Sequence, residues 1–367
     1  MRKFLAMAGL IAVAATACNK INNESASVMP KGEETILTVK VAGSNLTKAT
    51  EAGIANEDKV RSIDVFVFFN GGDYDGQLDA YKHFAQETLT GTLKATTGAR
   101  YIYAVVNSEF AESELETIAT LAQFNAKVAT LASQKTAGTP DVLDNFTMIG
   151  STSQTLVAGD NAVTVNVDRI ASRVRVKKIT RNFDSPALQA KTFTVTDMYL
   201  SNAVIKDEYD LVYTPVVADF VNQNGTYTAL AASKDLWLHR TFTQAIVDEH
   251  TTANSSWDCS APANYLYTFP NAYANEIDGS AEFAVQCTKL VVKASLEGDS
   301  KPMYYVIPLP ELKANYTYDI EELIITRRGS SDPNQKTQVA NVNYTISINP
   351  WTIQLIGTET GTGKYII

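Results

Sequence analysis

Three histidines, His83, His239 and His250, are the side chains best suited to acid–base catalysis or metal binding at neutral pH. They lie far apart, without HxH or HExxH spacing, and the chain has no CxxC pair. A GxSxG motif that would present a nucleophilic serine is also missing. We therefore predict that the chain is not an enzyme and that it needs no cofactor.

Two other stretches come close to known ligand sites. Asp73–Asp79 alternates carboxylates around Gly76 and could hold calcium, although an acidic hairpin turn explains the same residues. Gly357–Lys364 looks like a phosphate loop, but its glycine spacing is wrong and Tyr365 follows where the loop needs Ser or Thr. We interpret the first stretch as a turn and the second as a flexible linker.

Residues 1–17 have the composition of a secretory signal peptide. Met1–Lys3 is basic, Phe4–Ala15 is apolar, and small residues precede Cys18. A cysteine in this place matches a lipobox, in which Cys18 is acylated and becomes the new N-terminus, although Ala15 stands where the motif usually has Leu. An ordinary cleaved signal with an incidental cysteine is the alternative. No later segment is apolar for long enough to span a bilayer, so we expect attachment by lipid alone.

The remaining cysteines and the net charge are those of an exported surface protein. Cys259 and Cys287 could form one disulfide outside the cytoplasm, and buried free thiols are an equal alternative. The net charge is −9, from 40 acidic and 31 basic residues. Such a balance argues against a nucleic-acid partner and against a polybasic membrane face.

Alternating apolar residues and 17 tyrosines predict a β-rich fold. Strands are predicted at 35–42, 60–69, 100–107, 148–150, 162–167, 173–179, 192–200, 283–296, 303–308, 316–327 and 342–348. Val60–Phe69 has apolar side chains on both faces, which predicts a central strand covered on both sides. Glu112–Ser133 is the one stretch predicted to be helical, with a capping box formed by Ser113 and Glu116.

The apolar alternation changes phase at Asp168–Arg169. A slip of one residue reverses the two faces of a strand, so it marks a bulge or a strand that leaves one sheet for another. The length of 367 residues exceeds one ordinary domain. We therefore predict two β-sandwiches in tandem, at residues 49–168 and 169–350.

Arg169, Arg173 and Arg175 recur on one face of the strand that follows the phase change. Solvated charges, or charges that protect a sheet edge from mispairing, explain such an alternation. We therefore predict that these arginines are exposed.

Two segments at opposite ends of the chain complement each other. The predicted strand Thr35–Ala42 carries Leu37, Val39 and Val41 on one face, and a polar loop follows in which a trypsin-like protease would cut between Lys48 and Ala49. The tail, residues 351–367, holds the apolar residues Ile353, Leu355, Tyr365, Ile366 and Ile367. We expect the cut to remove the propeptide, residues 18–48, and the tail of another copy to fill the vacated groove. Such head-to-tail contacts build an open filament.

The chain resembles the FimA-like fimbrillins, the major pilins of Bacteroidales. The pieces that carry the resemblance are, in order, Cys18, Asp58–Val67, Tyr103–Asn107, Arg169–Val174, Asn315–Ile320 and Ile348–Trp351. It implies two transthyretin-like β-sandwich domains in an all-β fold with minor α-helix, and export as a lipoprotein to the outer membrane. It also implies removal of the first strand at the cell surface and assembly of an adhesive stalk by strand exchange. The family is cut after Arg, whereas Lys48 stands at the matching place here.

The resemblance leaves more than one role open. A stalk subunit would bind other copies of this chain and other fimbrial subunits, whereas tip and anchor subunits are accessory members of the same family. A monomeric surface lipoprotein that binds glycans is a further alternative, with Trp237, Trp257 and Tyr265 stacking on sugars. Packing of these aromatic residues against the sheets is the simpler explanation. A ligand on a host or bacterial surface would be the remaining partner.

Overall fold

β-Sheets dominate the chain between Lys31 and Trp351. The computed structural model describes residues 31–43, 57–85, 88–135, 143–210, 212, 214–223, 238–252, 255–273, 286–335 and 341–351. Within these ranges the α-helices are short: α1 Glu112–Leu115, α2 Leu121–Asn125 and α3 Pro186–Gln189. None of the described helices is long and apolar enough to cross a membrane. The predicted all-β class with minor helix is confirmed.

The first half of the chain builds a seven-stranded sheet. The strands of this half are β1 Glu34–Gly43, β2 Ile63–Phe69, β3 Leu78–Phe84, β4 Thr90–Thr96, β5 Gly98–Val106, β6 Val128–Thr130, β7 Met148–Leu156 and β8 Asp160–Arg169. All of them except β6 belong to the sheet, in the order β3–β2–β5–β7–β8–β1–β4. Asp79 in β3 accepts hydrogen bonds from Thr96 in β4, so the two ends of the order also meet. The sheet therefore curls around an apolar core of its own.

β2 lies between two apolar cores, as the sequence predicts. Val65 and Val67 face the core inside the curled sheet. Phe66 and Phe68 face a second, larger core that includes most of the apolar residues of the second half. All seven residues of β2 are buried.

The second half forms two larger sheets and one two-stranded sheet. Its strands are β9 Ser172–Val176, β10 Lys178–Arg181, β11 Phe193–Ser201, β12 Ala203–Val204, β13 Lys206–Glu208, β14 Phe220–Val221, β15 His239–Ala245, β16 Ser256–Asp258, β17 Leu266–Thr268, β18 Lys289–Leu296, β19 Met303–Pro308, β20 Tyr316–Ile325 and β21 Val342–Pro350. A six-stranded sheet has β20 at its centre, with β9 and β10 parallel to it and β21 antiparallel. A four-stranded sheet has the order β15–β11–β18–β19. β12 and β14 form the two-stranded sheet, and β13 pairs with β6. Apolar side chains of both sheets make up most of the larger core.

The chain changes sheets where the apolar alternation changes phase. β8 ends at Arg169 in the seven-stranded sheet, and β9 begins at Ser172 in the six-stranded sheet. The predicted change of sheet at Asp168–Arg169 is confirmed to within a few residues. The division into two domains at this point remains a prediction, because the larger core extends from Phe66 in β2 to Trp351 after β21.

The prediction of a single helix over Glu112–Ser133 is wrong. Within this stretch α1 and α2 are separate short helices, and β6 follows them. Ala111 is the N-cap of α1 and no side chain caps this helix, so the capping box of Ser113 and Glu116 is also wrong. Pairing of β6 with β13 in the second half replaces the expected helical turns.

The ladder between β6 and β13 holds one buried carboxyl group. Asp207 in β13 is 3% exposed. Its Oδ1 accepts the N–H of Glu208 at 3.0 Å, and its Oδ2 has no hydrogen-bond partner among the described residues. Burial raises the pKa of Asp207 from its ordinary value of 3.8 to about 8, so the folded chain keeps this carboxyl protonated at neutral pH.

Asp207 makes the stability of the chain depend on pH. The unfolded chain loses the Asp207 proton above pH 3.8 and the folded chain keeps it until about pH 8, so stability falls between these values. Asp207→Asn cannot ionise and should exceed the wild type in stability at pH 8 by roughly 2 kcal/mol or more, with no gain at pH 4. Urea unfolding at both pH values measures the difference.

Asp160→Asn, at an exposed position of β8, is the matched control and should show no such pH-dependent gain. An equal effect of Asp207→Asn at pH 4 and pH 8 would contradict the assignment.

Candidate functional site

β1 is an inner strand of the seven-stranded sheet. It pairs antiparallel with β4, from Glu34 opposite Thr96 to Lys40 opposite Thr90. On its other edge it runs parallel to β8, to which it pairs from Ile36 to Gly43. β4 and β8 are neighbours of β1 and not of each other. Removing β1 would therefore leave two facing strand edges with unpaired backbone groups, a groove that fits one strand.

The inward side chains of β1 complete the core of the curled sheet. Leu37, Val39 and Val41 are at most 1% exposed and belong to the same apolar cluster as residues of β2, β5 and β8. Burying one such side chain stabilises a fold by roughly 1.5–3 kcal/mol, so these three contribute on the order of 5–9 kcal/mol. A strand with this much buried surface stays in place unless another strand replaces it. Displacement of the three residues remains a prediction.

Four buried charges link the segment directly before β2 to the end of β8 and to β9. Asp58 forms an ion pair with Arg169 at the end of β8. Glu57 places Oε2 2.7 Å from Nη1 of Arg173 in β9. All four side chains are at most 5% exposed. They join the segment before β2 to the crossover between the two halves.

Trp351, which directly follows β21, belongs to the same cluster. Its carbonyl oxygen accepts a hydrogen bond from Nη1 of Arg169 at 3.2 Å, and its indole N–H donates to Oε2 of Glu57 at 3.3 Å. The guanidinium groups of Arg169 and Arg173 lie 4.3 and 4.5 Å from its ring centroid. Cation–π contacts of desolvated groups are worth about 2 kcal/mol. We call these five residues, Glu57, Asp58, Arg169, Arg173 and Trp351, the junction cluster.

The charges of the junction cluster balance. Burial lowers the pKa of Arg169 to about 9, and the negative charge of Glu57 opposes this shift. Arg169 therefore remains a cation at neutral pH. Tyr267 donates its hydroxyl hydrogen to Oε1 of Glu57 at 2.7 Å. Its pKa is raised well above 10, first by burial and then by the charge of Glu57, so the phenol stays neutral.

The predicted exposure of Arg169, Arg173 and Arg175 is wrong. All three are at most 7% exposed. Arg175 forms a two-point ion pair with Asp319 in β20, at 2.5 and 2.6 Å. The carboxylates that neutralise these arginines come from distant parts of the sequence, so the local pattern could not identify them.

Arg169 should be essential for stability. Arg169→Met leaves the Asp58 carboxylate buried without its ion-pair partner, and we expect a loss of roughly 3–5 kcal/mol in the free energy of unfolding. Arg327→Met is the matched control, because Arg327 pairs with Asp184 where both side chains are more than half exposed. The control should cost about 1 kcal/mol or less. Urea unfolding of both variants at pH 7 measures this, and equal losses would contradict the proposed role of burial.

Each of the three histidines lies against an aspartate. The pairs are His83–Asp64 at 2.7 Å, His239–Asp197 at 2.8 Å and His250–Asp248 at 2.9 Å. They belong to different strands and loops. Within the described ranges, no group of three or more His, Cys, Asp or Glu side chains could hold a metal ion.

Cys259 and Cys287 are free thiols in this structure, and both are fully buried. The N–H of Cys259 donates to the carbonyl of Lys177, and Sγ of Cys287 lies 3.4 Å from the carbonyl oxygen of Thr288. Burial raises the pKa of the Cys259 thiol to about 12 and that of Cys287 to about 11. Of the two alternatives left open by the sequence, the structure contains the free thiols rather than the disulfide.

Several predicted site residues lie outside the described residues. They are Cys18, Lys48, Ala49, Ile353, Leu355, Tyr365, Ile366 and Ile367. Lipidation, cleavage and the donor strand therefore remain predictions.

Two of the aromatic residues considered for glycan stacking have packing roles. The ring of Trp257 lies 4.8 Å from that of Phe242. Tyr265 is 7% exposed, and the guanidinium groups of Arg173 and Arg175 lie over its ring. Trp237 is outside the described residues. The described aromatic residues therefore favour the simpler explanation.

Residues 35–196 match the family model described as major fimbrial subunit protein (FimA). The matched segment begins in β1 and ends in β11, so it includes all of β1 except Glu34, the crossover and four of the five residues of the junction cluster. No curated protein sequence matches the chain.

Solved structures with the same fold come from Bacteroidales. A candidate cell adhesion protein of Bacteroides eggerthii is 20% identical, covers 89% of this chain and 98% of its own, and has a TM-score of 0.63. A fimbrilin of Porphyromonas gingivalis is 15% identical, covers 87% and 98% of the two chains, and has a TM-score of 0.58. A candidate cell adhesion protein of Parabacteroides distasonis is 17% identical, covers 88% and 98%, and also scores 0.58. At these identities the likeness shows a shared fold.

Proposed function

We propose that this chain, which matches the family of major fimbrial subunits over residues 35–196, is a structural fimbrial subunit that polymerises by strand exchange. The family and the fold support a structural, non-enzymatic role in a fimbrium outside the cell. The observation that carries the proposal of strand exchange is the inner position of β1 between β4 and β8. A strand in that position leaves a groove for one replacement strand when it departs.

The proposed pathway begins with export. Acylation of Cys18 anchors the precursor to the outer membrane, and β1 fills its own groove. A trypsin-like protease then cuts between Lys48 and Ala49. The propeptide, residues 18–48, includes the whole of β1, so its release opens the groove.

The junction cluster explains how the body remains folded after the cut. Glu57 and Asp58 lie on the body side of Lys48, and their ion pairs with Arg173 and Arg169 do not involve β1. The N-terminal sandwich, residues 49–168, therefore keeps its attachment to the C-terminal sandwich, residues 169–350. The tail, residues 351–367, begins at Trp351 in the same cluster.

The tail of a second copy is the proposed replacement for β1. Burial of about five apolar side chains at roughly 1.5–3 kcal/mol each gives about 7–15 kcal/mol before the cost of ordering the strand. Ladder hydrogen bonds to β4 and β8 add to this. The contact joins different surfaces of two copies, so it continues as a filament. A chain that has both a removable strand and a donor tail fits a stalk subunit better than a tip or anchor subunit.

Cleavage should start assembly. The purified precursor should remain monomeric, and a trypsin-type cut after Lys48 should give a ladder of oligomers that resists mild SDS. Lys48→Gln removes the cut site and should leave a monomer under the same protease treatment. Gel electrophoresis without boiling measures both.

Deletion of residues 352–367 tests whether strand exchange, and not cleavage alone, causes polymerisation. The shortened chain should be cut at the same rate, keep the melting temperature of the precursor to within a few degrees and give no ladder. If it still polymerises as well as the full chain, the tail is not the donor strand.

A further inference from the structure

A buried polar contact lies at the first inward position of β1. Thr35 and Asn161 are 3% and 6% exposed. Nδ2 of Asn161 donates to Oγ1 of Thr35 at 2.9 Å and lies 3.3 Å from the carbonyl oxygen of Ile36. Oγ1 of Thr35 lies 2.7 Å from the carbonyl oxygen of Val157 and 2.5 Å from that of Gly159, so its hydrogen can be donated to either.

Asn161 also belongs to the turn that joins β7 to β8. Its Oδ1 accepts the N–H of Val157 at 3.0 Å, and its Nδ2 lies 2.9 Å from the carbonyl oxygen of the same residue. These bonds are made within the body and do not require β1. The amide is therefore in position to bind whichever strand enters the groove.

We propose that Asn161 sets the register of the strand in the groove by binding a hydroxyl at the first inward position, which Thr35 supplies in β1. The inference rests on the proposed strand exchange, because it concerns the same groove. The groove thus prefers a strand with Ser or Thr followed by apolar residues two, four and six positions later. Thr35, Leu37, Val39 and Val41 meet this pattern.

The apolar side chains alone cannot fix this register. A slip of two residues preserves the alternation of inward and outward side chains, so an apolar face still meets the core. Such a slip would bring Leu37 or Glu33 to Asn161 in place of Thr35. Leu37 has no group that can bond to Nδ2 of Asn161 or to the carbonyl oxygens of Val157 and Gly159. Glu33 would bring a charged carboxylate into a buried position, so both registers are less favourable than that of Thr35. The contact between Thr35 and Asn161 therefore distinguishes registers that differ by two residues, whereas the apolar core does not.

Residues 352–367 do not contain the same pattern. This segment has threonines at positions 352, 358, 360 and 362. The residues two positions after them are Gln354, Thr360, Thr362 and Lys364, none of which is apolar. A donor strand from this segment, aligned in the direction of β1, would leave Asn161 without its hydroxyl partner. β1 therefore keeps an advantage at this end of the groove until cleavage frees it.

Thr35→Val in the full chain tests the contact, because valine keeps the shape of threonine and removes the hydroxyl. We expect hydrogen exchange of the β1 amides to accelerate by about tenfold or more, since one lost buried hydrogen bond is worth about that factor. Thr38→Val is the matched control on the outward face, where Oγ1 lies 3.2 Å from Oγ1 of Thr92. Thr35→Ser should behave as the wild type. Equal acceleration in Thr35→Val and Thr38→Val would overturn the proposal.

Exchange in the cut chain gives a second measurement. The chain is cut after Lys48 in the presence of a labelled synthetic peptide of residues 31–43. The wild-type peptide should enter the groove at least about tenfold more tightly than the peptide with Thr35→Val, whereas the Thr38→Val peptide should match the wild type. Equal binding of all three peptides would overturn the role of Asn161. If the cut chain takes up no peptide, strand exchange itself fails, and the amide exchange of the uncut chain still decides the register contact.

Discussion

The inner position of β1 is the constraint on which the rest of the structure depends. β4 and β8 each pair with β1 and not with each other. A sheet can lose an edge strand and remain closed, but loss of an inner strand opens the core that the sheet encloses. The first half of the chain therefore needs a strand in this place, although the strand need not belong to the same molecule.

The junction cluster provides the second constraint, because it ties together three segments of the body that the proposed cut would leave in place. Its charges come from the segment before β2, from the crossover after β8 and from the residue after β21. A buried charge without its partner is costly, so the three segments hold one another in place. None of these charges lies in β1, whose ion pair between Glu34 and Lys94 is exposed, so the proposed departure of the strand would leave no ion of the junction cluster unpaired. The same cluster fixes the point from which the tail begins.

Elements that are determined by the pattern of their own residues could be predicted from the sequence. Elements that are determined by contacts with residues far away in the chain could not. Alternation of apolar residues located β1 and both faces of β2, and the phase change at Asp168–Arg169 located the crossover. β4, a wall of the groove, was missed because Thr90–Thr96 has only short and weak apolar alternation. The buried arginines and the interrupted helix were missed because Glu57, Asp319 and β13, which determine them, are far away in the chain. Asn161 gave no sequence signal, since its partners are a hydroxyl and backbone carbonyls.

The proposed cleavage would change the competition for the groove without changing a contact inside it. While the chain between β1 and Glu57 is uncut, β1 is an intramolecular strand, and a short covalent connection gives such a strand an effective concentration of about the millimolar range. A donor strand at micromolar concentration is then at a disadvantage of about a thousandfold, or roughly 4 kcal/mol. The proposed cut would remove this advantage, because β1 would then no longer be joined covalently to the body. In the proposed exchange, a donor that fits the groove less well than β1, without the hydroxyl that Asn161 binds, would therefore be able to occupy it after the cut.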